Sequence, residues 1–126
     1  MTLTRWRSNE AGAGAVEFAL TAPAFFAMLI GIIEFGLLMW TQTGLQHGVE
    51  MAARCASINS AICGSVTAIQ QYAAQQSFGL NPPASSFSVS TPACGKQVSA
   101  SYEFRYVAGY FGSPAITVTA QSCFPK

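Results

Sequence analysis

The sequence predicts an α+β protein in which a long N-terminal membrane-spanning helix precedes a short second helix and a small antiparallel three-stranded sheet. Only 9% of the residues are charged, against about 25% in ordinary soluble domains. The apolar residues are concentrated in one block near the N-terminus, and all four cysteines follow that block. These observations predict a membrane anchor followed by a small, disulfide-stapled domain.

The apolar block predicts one transmembrane segment, from about residue 18 to residue 40. The 23 residues from Phe18 to Trp40 contain a single charge, and ~20 apolar helical residues at ~1.5 Å each cross a ~30 Å hydrocarbon core. Arg5 and Arg7 precede the segment, and the next positive charge is Arg54. The positive-inside rule therefore predicts a cytoplasmic N-terminus and an extracytoplasmic C-terminal part. A removed secretory signal is the alternative, but the block exceeds the usual apolar length of about 7–15 residues and no A-x-A site closes it.

Helical periodicity continues beyond the apolar block. Apolar and small residues recur at spacings of three and four at Leu45, Val49, Ala52, Ala53 and Ala56. This pattern predicts one helix from about residue 14 to residue 58. Pro23 removes one backbone hydrogen bond and predicts a kink in that helix. Gly44 and Gly48 either let another helix approach closely or merely loosen this one.

Residues 59–126 predict the small α+β domain. Ser65 is a candidate N-cap for a helix over residues 66–78, which Gly79 would end. Its inward face is predicted to hold Val66, Ile69, Tyr72, Ala73 and Gln76. Three strands follow, over residues 85–90, 98–107 and 115–122. The inward positions predicted for the last two strands are Val98, Ala100, Tyr102, Phe104, Tyr106, Ile116 and Val118.

The four cysteines predict two disulfides. Their spacings fit no zinc pattern, and reduced buried thiols are the alternative to bonded ones. Three pairings are possible for four cysteines. We favour Cys55–Cys63, which brackets the turn between the two helices, together with Cys94–Cys123, which ties a strand turn to the chain end.

Several classes of function are disfavoured by the composition. The formal net charge is +1 and no basic patch exists, which argues against nucleic-acid binding. The chain has no aspartate, so carboxylate-rich metal sites and Asp-based triads are excluded. His47 is a lone histidine without an acidic or cysteine neighbour at a useful spacing. With no phosphate-binding loop either, we predict neither an enzyme nor a cofactor.

The residues around Gly12 resemble a known processing site. Gly12 is followed by four small or apolar residues and then by Glu17-Phe18, ahead of an apolar helix. This arrangement resembles the cleavage site of type IV prepilins in the form found in tight-adherence (Tad) pili. The resemblance implies that a prepilin peptidase cuts between Gly12 and Ala13. The new amine at Ala13 would then lie one helical turn from Glu17 and offset the cost of a charge in the bilayer, about 3 kcal/mol on the insertion scale.

The resemblance extends along the helix to the TadE-like family of pilus-assembly proteins. The motifs that carry it are Glu17-Phe18-Ala19, Pro23, Glu34-Phe35-Gly36 and Ala52-Ala53-Arg54. The family implies a minor pilin (pseudopilin) that takes part in assembly of a Tad pilus and so in bacterial adhesion. Expected partners are the prepilin peptidase, other pilins or pseudopilins, the Tad inner-membrane platform and membrane lipid.

The resemblance divides the chain into a cytoplasmic leader (1–12), a pilin-like helix (13–58) and an extracytoplasmic domain (59–126). It implies a single-pass inner-membrane protein, either retained there or located in a surface pilus or at its tip. Glu34 has two interpretations: it pairs with a partner pilin, or it extends to the outer interface beside Trp40. The alternative function is an uncleaved single-pass protein whose outer domain binds a partner. A weaker alternative is a secreted enzyme released by signal removal.

Overall fold

The computed structural model describes residues 10–106, 112 and 115–125. Two helices, a 3₁₀ turn and three strands follow one another: α1 (Glu10–Ile58), α2 (Val66–Gln75), the turn Ala84–Ser86, β1 (Phe87–Ser90), β2 (Lys96–Phe104) and β3 (Ile116–Phe124). The strands form one sheet in the order β1-β2-β3, and both pairs are antiparallel. This architecture confirms the predicted α+β fold class.

The chain divides into two compact units, Met1–Phe35 and Gly36–Lys126. Within the described part of the first unit, α1 begins at Glu10 and continues through Pro23. The Thr21 hydroxyl donates to the backbone carbonyl of Glu17 at 3.0 Å. Such bonds satisfy a hydroxyl inside an apolar helix without breaking its backbone ladder.

The described residues of the second unit share one hydrophobic core. The last turns of α1 contribute Leu45, Val49, Ala52 and Ala53, all fully buried, at the spacing of one helical face. The sheet contributes one face of alternating residues, and α2 contributes Ile69 and Ala73. The buried sheet residues are Phe87, Val98, Ala100, Val118 and Ala120.

The alternation of inward and outward residues predicted for β2 is confirmed, but one position of β3 that was predicted to face inward is exposed. Val98 and Ala100 are buried, and Tyr102 and Phe104 are half-buried. Ile116 was predicted to face inward and is 44% exposed. It is the first residue of β3 and pairs with Phe104, the last residue of β2. It therefore lies at the rim of the core.

The predicted N-cap of α2 is confirmed, and its predicted end is wrong. The Ser65 hydroxyl accepts a hydrogen bond from the Ala68 amide at 3.2 Å. The helix ends at Gln75 and not at residue 78: Phe78 adopts φ of +48°, outside the helical region, and the buried Ser77 donates its hydroxyl to the Ala73 carbonyl at 2.7 Å. Val66, predicted to face inward, is 55% exposed in the first turn.

Two disulfides close the ends of the second unit. Cys55 is bonded to Cys63 with a Cα–Cα distance of 5.8 Å, which ties the last turn of α1 to the loop before α2. Cys94 is bonded to Cys123 with a Cα–Cα distance of 6.3 Å, which ties the β1–β2 turn to the end of β3. These are the two pairs favoured from the sequence. They matter because a domain this small is marginally stable on burial alone.

Candidate functional site: the exposed apolar helix and its junction

The first half of α1 exposes its large apolar side chains on all sides. Phe18 is 68% exposed. Among the exposed large apolar residues from Val16 to Trp40, Leu29 has the smallest exposed fraction, 39%. α1 is long and apolar enough to cross a membrane, and its most apolar stretch has no residue buried within the molecule. A helix that is apolar all round requires a lipid or protein environment to cover it.

The exposed stretch ends abruptly at Trp40. Trp40 is 59% exposed, and the next residue, Thr41, is 4% exposed and is the first fully buried side chain among those the structure describes. Burial then recurs with helical spacing through Leu45 and Val49. The core of the second unit thus begins at the end of the candidate membrane segment, where the half-buried Leu38 already packs against it.

Two carboxylates lie on the exposed stretch. Glu17 is exposed, whereas Glu34 is half-buried. Helical geometry separates them by ~25 Å along the axis and by ~100° around it. They therefore occupy different faces, at an axial separation close to the ~30 Å thickness of a hydrocarbon core.

The glycines of α1 fall into two groups. A Cβ built on Gly12, Gly14, Gly31 or Gly36 would meet no described atom within 4 Å. Packing against the described residues therefore does not require glycine at these four positions.

Gly44 and Gly48, in contrast, are contacted by the end of α2 and the loop after it. A Cβ on Gly44 would lie 2.7 Å from Leu80 Cδ1, and one on Gly48 would lie 2.7 Å from the carbonyl oxygen of Ala73 and still closer to Ser77 Oγ. The close approach that this glycine pair allows is therefore made within the chain. This resolves the two interpretations left open by the sequence.

An aromatic cluster at the junction escaped prediction. The rings of His47 and Phe78 stack with centroids 4.4 Å apart, and those of Trp40 and Phe78 are 6.1 Å apart. His47 Nδ1 lies 2.9 Å from the carbonyl oxygen of Gln76, one of the last carbonyls of α2. Trp40 and His47 are two helical turns apart on one face, which the sequence does show, but nothing local indicates that Phe78 joins them.

Side chains of α1 also cover the outer edge of β3. Gln42 donates to the carbonyl of Thr119 at 3.1 Å, and Ser57 donates to that of Phe124 at 3.2 Å. An uncovered edge strand is a template for pairing with another chain. These bonds protect one edge of the sheet, and they also escaped prediction.

No group of three or more metal-ligating side chains occurs in the part of the chain that the structure describes. The solvent side of the sheet borders an open groove of about 720 Å³, lined by serine, threonine, glutamine and alanine. Within this groove Ser88 Oγ and Ser99 Oγ are 2.7 Å apart. Such hydroxyl and amide groups bind by hydrogen bonding, but they offer no acid–base pair for catalysis.

A comparison with protein families supplies the deciding observation. Residues 12–54, which are 43 of the 126 residues, match the model of the TadE-like protein family. The chain carries a TadE-like segment. The match confirms the resemblance predicted from the motifs, and it relates the chain to the Tad pilus. No curated protein and no solved structure matches the chain.

The TadE-like segment covers both parts of α1. It includes the whole exposed apolar stretch, the two carboxylates and most of the buried face, and it ends at Arg54 just before the first disulfide. The family is associated with pili and is not known as enzymatic. The membrane-compatible helix and the family match lie on the same residues.

Proposed function

We propose that this protein is a minor pilin (pseudopilin) of a Tad pilus. In this proposal a prepilin peptidase cleaves the chain after Gly12, and α1 holds it in the inner membrane with the N-terminus in the cytoplasm. The protein then joins other pilins through its apolar helix. The observation that carries the proposal is the TadE-like match on a helix whose first half is exposed and apolar yet contains Glu17.

The glycine at the proposed cleavage site supports processing. Gly12 has room for a Cβ, and so does Gly14, so the fold does not explain a small residue there. Recognition by a peptidase does explain it, because a glycine exposes the peptide backbone on both sides. Cleavage leaves Ala13 as a cationic amine.

The position of Glu17 supports assembly. It lies four residues after the new amine, which is ~6 Å along the helix and one turn around it. A lone charge in the bilayer costs about 3 kcal/mol on the insertion scale. Packing several such helices together supplies each carboxylate with an amine of its own or of a neighbouring chain, so association is favoured over the isolated helix.

The two interpretations of Glu34 make different predictions within this proposal. If Glu34 pairs with a neighbouring pilin, the isosteric Glu34→Gln change weakens incorporation into pili. If Glu34 instead reaches the outer interface, the same change leaves incorporation intact. Incorporation is measured by immunoblotting sheared surface fractions, and contacts are mapped by cross-linking in membranes.

The mature N-terminus tests the proposal as a whole. The full chain is expressed in cells with an active Tad system, purified and sequenced from its N-terminus. We expect Ala13, and we expect unprocessed chain when Gly12 is replaced by leucine. The matched control is Gly14→Ala, which changes a nearby glycine that also lacks packing contacts and should still be cleaved. An N-terminus at Met1 in the unaltered chain would instead support an uncleaved single-pass protein.

A further inference from the structure

The loop after α2 carries an aromatic side chain in an unusual conformation. Phe78 has φ of +48°, in the left-handed region, and is 49% exposed. For a bulky residue this backbone conformation is rare and costs about 1–3 kcal/mol. Gly79 follows directly and adopts φ of +78° without such a cost. The fold therefore holds an apolar ring outward at a position where the backbone itself favours glycine.

The ring of Phe78 lies next to that of Trp40. Their ring centroids are 6.1 Å apart, so their depths along any axis differ by at most 6.1 Å. The ring of Phe78 also stacks on that of His47, with centroids 4.4 Å apart. Leu37, Met39 and Trp40 on the adjoining turn of α1 are all about half exposed. Leu37 lies three residues before Trp40 and so on the same face of α1. Leu37, Trp40 and Phe78 form the apolar surface that we call the junction patch.

The depth of the junction patch matches the headgroup layer of a bilayer. If Trp40 marks the end of the hydrocarbon, Phe78 lies no more than 6.1 Å beyond it. The interfacial layer on each side of a bilayer is about 5–8 Å thick. Aromatic residues concentrate in that layer. The sequence has no Asp, Glu, Lys or Arg between Arg54 and Lys96, so the loop brings no charge into it.

We propose that Phe78 is a second interfacial anchor, which inserts beside Trp40 into the headgroup layer of the outer leaflet and holds the extracytoplasmic domain against the membrane before assembly. The occupant of the junction patch is lipid, because the patch continues the exposed apolar surface of the membrane segment without interruption. This inference rests on the membrane insertion contained in the proposed function. It adds a contact by the folded domain that the helix alone does not require.

Fluorescence quenching in vesicles tests the anchor. The full chain is reconstituted at low density into phosphatidylcholine–phosphatidylglycerol vesicles, with Trp6 and Trp40 replaced by phenylalanine and Phe78→Trp as the single reporter. Brominated lipids, with bromine either near the headgroups or deep in the chains, and aqueous iodide serve as quenchers. We expect blue-shifted emission, with quenching by the shallow lipid about twofold stronger than by the deep one.

A matched control uses Ile62→Trp in the same background. Ile62 is also exposed, at 57%, but its neighbour Cys63 is bonded to Cys55, which lies ~22 Å further along α1 than Trp40 does. We expect its emission to be quenched by iodide and not by either lipid. Iodide quenching of the reporter at position 78 equal to that of the control would overturn the inference.

Two further readouts separate the remaining outcomes. Trp40 alone, in a chain with Trp6→Phe, reports insertion. If iodide reaches Trp40, the membrane part of the proposed function fails and the anchor fails with it. If Trp40 is shielded and position 78 is not, only the anchor fails. Shielding of position 78 that develops only at high protein density would assign the junction patch to a second copy of the chain and would also overturn the inference.

Discussion

Replacing Gly48 with alanine tests the close contact between α1 and the end of α2. In an open helix this change stabilises by about 1 kcal/mol, because glycine is the weaker helix former. At Gly48 the added methyl would lie 2.7 Å from the Ala73 carbonyl oxygen and closer still to Ser77 Oγ. One of those atoms is backbone, so α2 must move away from α1. The substitution is therefore expected to destabilise the fold.

The size of the effect follows from three contributions. Overpacking a close contact costs about 1–3 kcal/mol. Displacing Ser77 also weakens its hydrogen bond to Ala73, which contributes about 1 kcal/mol. After the helix-propensity gain of about 1 kcal/mol is subtracted, we expect a net loss of about 1–3 kcal/mol in the free energy of unfolding. In a domain of this size each kcal/mol lowers Tm by about 4–8 °C.

Thermal unfolding of the full chain in detergent measures this loss through the near-ultraviolet circular dichroism of the tyrosines. Gly36→Ala is the matched control, because its methyl would meet nothing within 4 Å, and its Tm should stay equal or rise. Gly44→Ala should cost less than Gly48→Ala, because the nearest atom is the movable end of Leu80 and the Ser77 carbonyl oxygen is further away, at 3.1 Å. The reasoning is refuted if Gly48→Ala is as stable as Gly36→Ala and instead abolishes self-association, since the glycine would then face another chain.

The remaining predictions concern the core, the disulfides and the sheet edge. Replacing Cys94 and Cys123 by serine should lower the free energy of unfolding by about 3.6 kcal/mol, because that disulfide closes a loop of 29 residues. Replacing Cys55 and Cys63 should lower it by about 2.5 kcal/mol, because that loop has 8 residues. A urea titration that ranks the two losses in the reverse order would contradict the loop argument. Phe87→Ala should lower the free energy of unfolding by about 3–5 kcal/mol, because Phe87 is 1% exposed. The control Phe35→Ala, at a position that is 63% exposed, should leave that free energy unchanged. Equal losses for the two variants would contradict the assigned core. Gln42→Leu removes a hydrogen bond to the outer edge of β3 and should cost about 1 kcal/mol; hydrogen exchange should quicken at the amides of β3, and unchanged exchange there would show that the bond does not protect the edge.

Local signals in the sequence predicted most of the fold. The apolar run of α1 is long and apolar enough to cross a membrane, a property that depends on composition and length alone. The alternation in β2 and the capping serine at position 65 act within a few residues, so the structure confirms both. What the sequence missed depends on contacts between distant segments. The helix α2 ends early because Ser77 packs against Gly48, and Ile116 is exposed because the core stops before it.

The candidate site divides in the same way. The exposed apolar stretch and the positions of Glu17 and Glu34 are visible in the sequence, because an acidic residue stands out within an apolar run. The junction patch is not visible, since Phe78 is far from Trp40 along the chain and is brought to it only by the turn after α2. The partner of the Gly44 and Gly48 pair also became identifiable only from the folded chain.

The proposed pairing of Glu17 with an amine created by the proposed cleavage is tested most directly by Glu17→Leu. Leucine suits the bilayer better than glutamate does, so the variant should insert normally and should still be cleaved to expose Ala13. The account predicts that this variant is retained in the membrane fraction and is lost from sheared pili and from cross-links to other pilins. A Glu17→Leu chain that enters pili as well as the unaltered chain does would contradict the account.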